Sequence, residues 1–147
     1  MSIFISIASY QDPLLVSTIF SAYNNAEKKE DLVFSICDQS DNGIKIDEIP
    51  FSNQIHYEHV DPLFAKGPCW ARHRAQSFFN EEDFFLQVDS HTQFSPSWDK
   101  IFIEQLEKIS TIQSDDEYFK RPIITSYPRS FEVIDFERGL FSLNNGD

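Results

Sequence analysis

The chain has 147 residues, of which 41% are hydrophobic and 24% charged, the balance of an ordinary globular protein with length for one domain. Its formal net charge of -12 argues against a protein that grips phosphate backbones over a broad surface, so nucleic acid is not an expected partner. Fifteen Phe point to a core packed with aromatic rather than only aliphatic side chains.

Ile3 to Ala8 is a short apolar run of the buried-strand kind. It lacks a basic leader and breaks at Ser9-Tyr10-Gln11-Asp12-Pro13, so it reads as a first strand and not as a signal peptide. Asp12-Pro13 suits the start of a helix, with Leu14, Leu15, Thr18, Ile19, Ala22 and Ala26 on one face. Leu32 to Cys37 is a second buried strand, followed by the polar run Asp38-Gln39-Ser40-Asp41-Asn42-Gly43. Ile44 to Asn53 is expected to form a loop with a short edge piece, and Ile55 to Val60 a third strand. Gly67-Pro68 opens a helix that should run to about Phe79.

Phe84 to Val88 is the next apolar strand, here expected to be buried, and it leads into Asp89-Ser90-His91. In an extended chain residues two apart point the same way, so the Asp89 carboxylate and His91 imidazole could converge on one cation. Ser95-Pro96 caps a further helix with Trp98, Ile101, Phe102, Leu106 and Ile109 as its apolar stripe. Gln113 to Glu117 is a polar loop, Ile123 to Tyr127 is expected to resume the sheet, and Phe131 to Phe136 is a last candidate strand.

Alternating strands and helices imply an α/β fold, a mostly parallel sheet covered on both faces, whose ligands bind beyond the carboxyl ends of the strands. Three polar segments, beginning at Ser9, Asp38 and Asp89, each follow a strand and should meet on one rim. No run approaches the roughly 18 apolar residues that span a bilayer. The two cysteines, Cys37 and Cys69, have neither zinc nor disulfide spacing, which suits a reduced, cytoplasmic setting.

Ser6 to Pro13, Gly67-Pro68-Cys69-Trp70-Ala71-Arg72, Leu86-Gln87-Val88-Asp89-Ser90-His91 and Trp98-Asp99 together resemble, in order, the signatures of GlcNAc-transferases that act on polypeptides. Eukaryotic members of that family modify a hydroxyproline on a cytosolic ubiquitin-ligase subunit. The third segment is also similar to the Asp-Ser-His metal motif of the polypeptide GalNAc-transferases.

The resemblance implies a Rossmann-like GT-A domain over residues 1–147, a UDP-sugar donor, most simply UDP-GlcNAc, Mn²⁺ or Mg²⁺ as cofactor, a hydroxyl acceptor on protein or glycan, and retention of configuration. It places Ala8, Ser9 and Tyr10 at the nucleoside, Asp38 at the uracil or ribose, Arg72 and Ser90 at the donor, and Asp89 with His91 on the metal. Asp89 and Arg72 are the residues expected to carry catalysis, with Trp98 and Asp99 as support behind the metal. The family's catalytic region continues past this chain's last residue, so the acceptor groove is expected from a further segment or a partner chain.

Several residues carry a second reading from sequence. Arg72 can be a surface residue paired with Glu81, Glu82 or Asp83, and Asp38 can begin an Asx-turn. His73 and Arg74 read as solvent-facing, His56 and His59 as ordinary polar residues, and Cys37 as buried and structural. An incomplete donor-binding half and a metal phosphoesterase built on Asp89 and His91 stand as rival functions.

Overall fold

The computed structural model describes residues 1–111, 122–135 and 140–143, and the chain divides into two compact units, Met1–Ile101 and Phe102–Asp147. The first unit holds a four-stranded parallel sheet. Its strands are β1 (Ile3–Tyr10), β2 (Leu32–Gln39), β3 (Ile55–Val60) and β4 (Phe84–Asp89), in the order β3-β2-β1-β4. All four expected strands of this region form. The two inner strands, β1 and β2, are buried almost throughout, whereas the edges β3 and β4 alternate between half-buried and more exposed positions. That contrast is what parallel sheets covered on both faces produce.

Two helices supply the cover. α1 (Leu15–Asn25) connects β1 to β2, and α2 (Pro68–Gln76) connects β3 to β4. The first connection steps outward from β1 to β2. The second carries the chain back across the sheet to the other side of β1, so right-handed crossovers place the two helices on opposite faces. The contacts agree. Ser35 donates its hydroxyl to the Ala75 carbonyl at 2.7 Å, and Cys37 packs on Ala71 and Ala75, so these β2 residues face α2. Phe34, just before Ser35, turns the other way, toward Phe51, which stacks on Tyr23 of α1 at 3.6 Å and meets Phe20 at 5.5 Å.

The aromatic content does organise the packing. A second cluster joins Phe4, Phe79 and Phe85 on the α2 face, with centroids 5.4 to 5.7 Å apart. α2 itself is held by small residues, Ala71 and Ala75, that let its backbone approach the sheet. Gly67, at φ 86, turns the chain into Pro68 at the first helical position.

Several expectations are corrected here. Residues 44–53 contain no edge piece; single 3-10 turns at Ile46–Glu48 and Ser52–Gln54 fill that stretch. α2 stops at Gln76, before Phe79. β4 is an edge strand and not a buried one, with Phe85 43% exposed. α1 begins at Leu15, two residues after Pro13. α3 (Trp98–Ser110) begins after Ser97, whose φ of 60 ends the preceding turn, and not at Ser95-Pro96.

Beyond residue 101, the second unit holds the rest of α3 and an antiparallel hairpin, β5 (Phe131–Asp135) with β6 (Leu140–Leu143), pinned by Phe131 edge-on to Phe141 at 5.2 Å. Ile123 to Tyr127 does not resume the sheet. It has no regular structure, and Ile123 and Tyr127 project fully into solvent. A β-branched run becomes a strand only when a neighbour completes its hydrogen bonds, and this one has none among the described residues. The Gln113–Glu117 loop and Phe136 lie outside the described residues. Among those described, no helix is long and apolar enough to cross a membrane.

Candidate functional site

β1 is the pivot of the sheet: β2 lies on one side, β4 on the other, and the chain reverses its direction of travel between them. In open α/β sheets the crevice beyond such a switch point is where ligands bind. The strand register brings the singled-out residues to that edge. Ala8 lies beside both Cys37 and Asp89, Ser9 beside Asp38, and Tyr10 beside Gln39. The three polar segments meet on one rim, although the strands run on through Tyr10, Gln39 and Asp89, one or two residues further than expected.

Leaving β1, the chain turns sharply at Gln11, a non-glycine residue with φ 49. The Gln11 side chain donates to Asp41 at 2.9 Å and its backbone amide donates to the Gln39 carbonyl at 3.0 Å, holding this left-handed turn. Asp12 is thereby swung to the head of α1. Its Oδ1 accepts the Leu14 amide at 2.9 Å, while Oδ2 accepts the Ser90 hydroxyl at 2.6 Å and faces His91 Nδ1 at 2.8 Å. Burial pushes the Asp12 pKa up, but the hydrogen bonds from Ser90, His91 and Leu14 outweigh it and hold the group below its ordinary value.

After Asp89, Ser90 and His91 form a turn, so the alternation expected of an extended chain does not apply. Asp89 turns to α2, where Arg72 Nη2 donates to its Oδ1 at 3.2 Å. Ser90 and His91 turn to the head of α1. The two groups expected on a common cation therefore take their protein partners on opposite sides of the rim. Each keeps one polar atom unpaired: Asp89 Oδ2 and His91 Nε2 have no partner among the described residues. Arg72 does not pair with Glu81, Glu82 or Asp83.

The segment after His91 runs the length of α1 and is tied to it at each turn. Thr18 donates its hydroxyl to the Ser90 carbonyl and accepts the Thr92 amide; Ser21 accepts the Phe94 amide; the Asn25 carbonyl accepts the Ser97 amide. At the far end, buried Trp98 donates its indole N–H to the Ala22 carbonyl at 2.9 Å. Asp99, also buried, accepts the amides of Glu27 and Lys28 at 2.9 to 3.1 Å. Burial raises the Asp99 pKa, and the amide hydrogen bonds more than reverse that. Trp98 and Asp99 thus anchor the strap that holds the Asp89–His91 turn; they do not stand behind the turn itself.

On the α1 side of the rim lies a cleft of about 300 Å³. Gln11, Asp12, Pro13 and Val16 line one wall, and Asp38, Ser40, Asp41, Asn42, Gly43 and Ile44 the other. Asp38 is buried, and its Oδ2 accepts the hydroxyls of Ser40 at 2.8 Å and Tyr57 at 2.9 Å. Those bonds replace the Asx-turn, since the Ser40 amide donates instead to the Val60 carbonyl. Burial, then the neighbouring Asp38 carboxylate, pushes the Tyr57 phenol up and keeps it protonated. Ser9 is also buried, and its hydroxyl has no partner among the described residues; Tyr10 is mostly exposed and Ala8 half-buried against α2.

Among the remaining residues, Arg74 does not simply face solvent: it makes a bidentate ion pair with Glu58, at 2.7 to 3.1 Å, that fastens α2 to β3. His56 stacks on Phe78, and His59 Nε2 lies 2.6 Å from the Ser40 carbonyl. Cys37 is buried, as expected, and Cys69 exposed. Asp12, Gln11, Gly43 and Tyr57 were not singled out from sequence as site residues. Gln11, Asp12 and Gly43 carried a signal as members of the polar segments at the rim, and Asp12 as a helix start, but no site role was given to them.

A family model described as Glycosyltransferase (GlcNAc) matches residues 40–142, more than two thirds of the chain. The chain belongs to this glycosyltransferase family. No curated protein and no solved structure matches it significantly. The match takes in Arg72 and the Asp89–His91 turn of the glycosyltransferase, while Ala8, Ser9, Tyr10, Asp12 and Asp38 precede it. Glycosyl transfer, with a sugar donor and an acceptor, is the role that membership carries.

Proposed function

We propose that this chain is a metal-dependent glycosyltransferase of the GT-A type that moves GlcNAc or a related sugar from a UDP-sugar to a hydroxyl acceptor with retention, in a cytoplasmic setting. The observation that carries the reading is the two unpaired polar atoms at the end of β4: Asp89 Oδ2, with Oδ1 on Arg72, and His91 Nε2, with Nδ1 on Asp12.

That donor set fits a divalent cation. A carboxylate oxygen and an imidazole nitrogen suit Mn²⁺ or Mg²⁺, and a carboxylate behind the imidazole is the usual support of a ligating histidine. No group of three or more His, Cys, Asp or Glu able to hold a metal occurs among the described residues; Asp89 and His91 would hold the cation together with diphosphate oxygens and water. When bound, the cation neutralises charge on the diphosphate leaving group.

The chain's own residues supply the rest. As the bond between the anomeric carbon and the diphosphate oxygen breaks, that oxygen keeps the electron pair, and Arg72, midway along α2, would donate hydrogen bonds to it. Ala8, Ser9 and Tyr10 line the nucleoside position, where the unpartnered Ser9 hydroxyl awaits an acceptor or donor. Asp38 forms the floor for uracil or ribose, and Ser90 holds the turn against Asp12.

A thermal-shift panel of UDP-sugars with and without Mn²⁺ tests this. Ligand at 100 times its Kd stabilises by about 2.7 kcal/mol, roughly 5–10 °C for a domain of this size. The shift is expected with UDP-GlcNAc and Mn²⁺ together and is lost in Asp89→Asn, which should fold normally. A shift that ignores the metal, or none with any UDP-sugar, would sink the reading.

A further inference from the structure

We propose that Asp12 is a positioning residue of the transfer site, holding the His91 imidazole in the tautomer that leaves Nε2 as an unprotonated donor. This rests on the reading of His91 as a ligand at that site. The turn that leads into α1 takes one acceptor oxygen, and Asp12 Oδ1 supplies it to the Leu14 amide. The second oxygen reaches instead across the crevice to two groups 78 and 79 residues further along the chain, Ser90 Oγ and His91 Nδ1.

An ionised carboxylate only accepts hydrogen bonds, so the proton between Asp12 and the imidazole belongs to Nδ1. Free neutral histidine favours the proton on Nε2; the contact reverses that preference, and Nε2 is left with its lone pair directed away from Asp12. Ser90 contributes a second tie from the same turn. Two bonds on one oxygen fix both the position of the turn and the orientation of the ring. Asp12 is itself firmly placed: its side chain is 15% exposed, and the turn at Gln11 and the head of α1 fix its backbone on both sides.

Asp12→Ser separates this role from a plain helix start. A serine hydroxyl can still accept the amide two residues on, but it is too short to reach His91. In ¹⁵N-labelled protein, long-range proton–nitrogen correlation at a pH where His91 is neutral reads the tautomer directly. Wild type is expected to show the Nδ1–H form. Ser90→Ala is expected to keep it, and Asp12→Ser to shift toward Nε2–H while remaining folded. Mn²⁺ affinity in the presence of UDP should fall 10–100-fold in Asp12→Ser.

An Nε2–H form in the wild-type protein overturns the proposal without recourse to any variant. So does an Asp12→Ser protein with unchanged tautomer or unchanged Mn²⁺ affinity. A wild-type protein that shows the Nδ1–H form yet binds no Mn²⁺ with UDP overturns the transfer reading instead, and leaves the hold of Asp12 on His91 supported.

Discussion

Arg72 and Asp89 face each other between the middle of α2 and the end of β4, Nη2 to Oδ1 at 3.2 Å, with side chains 39% and 62% exposed. An ion pair so open to water contributes little to stability, about 0–1 kcal/mol. On the proposed function, Arg72 acts instead on the leaving diphosphate. Arg72→Ala should therefore leave the unfolding midpoint within a few degrees of wild type while lowering sugar-transfer kcat by about 10²–10³, the usual loss on removing one donor to developing charge. Parallel unfolding curves and UDP-release kinetics check this; a variant that unfolds readily would make Arg72 a structural residue.

Asp12 and Asp99 both have folded-state pKa values below the ordinary 3.8. The unfolded chain then binds more protons on acidification, so the stability these groups contribute is present above that value and is lost as pH falls through the folded values. Asp99→Asn should flatten the acid limb of the stability curve and cost about 1 kcal/mol at neutral pH by weakening the pairing of the part-buried Glu27 and Lys28 amides. Urea titrations from pH 2 to 7 measure both effects. An unchanged acid limb would contradict the role of Asp99 as anchor of the strap.

Burial first, then the Glu58 carboxylate, pushes the Cys37 thiol from 9.0 up to about 11. Its neutral form is favoured in the fold, so its contribution to stability is full below pH 9.0 and disappears as pH rises through about 11. Alkylation of the native protein at pH 8, followed by mass spectrometry, should label exposed Cys69 first and reach Cys37 only on unfolding. Equal labelling rates would mean that the α2 face opens readily.

Gly43 sits at φ 63, and a Cβ there would lie 2.8 Å from the Tyr57 hydroxyl and 3.1 Å from the His59 ring. Gly43→Ala meets both a strained backbone and a blocked neighbour. We expect a loss of roughly 1–3 kcal/mol, with weaker UDP-sugar binding because the Tyr57 bond to Asp38 is displaced. Calorimetric unfolding and a binding isotherm test the two parts separately. Unaltered binding would remove the Asp38 wall from the donor site.

The sequence by itself determined the strand–helix–strand alternation, because an apolar run of period two or 3.6 is a property of a few neighbouring residues. It also located the rim: Ser9, Asp38 and Asp89 each follow a strand, and parallel strands end on the same side. The motif order pointed to a GlcNAc-transferase, and the family match agrees at the level of glycosyl transfer.

What only the tertiary structure decided is which groups meet there. The meeting of Asp12 with His91, the choice of Asp89 over three other carboxylates as partner of Arg72, and the separate protein partners of Asp89 and His91 are all tertiary contacts. Pairing between segments some 80 residues apart leaves no local period to read. The same physics misdirected the reading of Ile123 to Tyr127, whose strand propensity found no neighbouring strand to complete its hydrogen bonds.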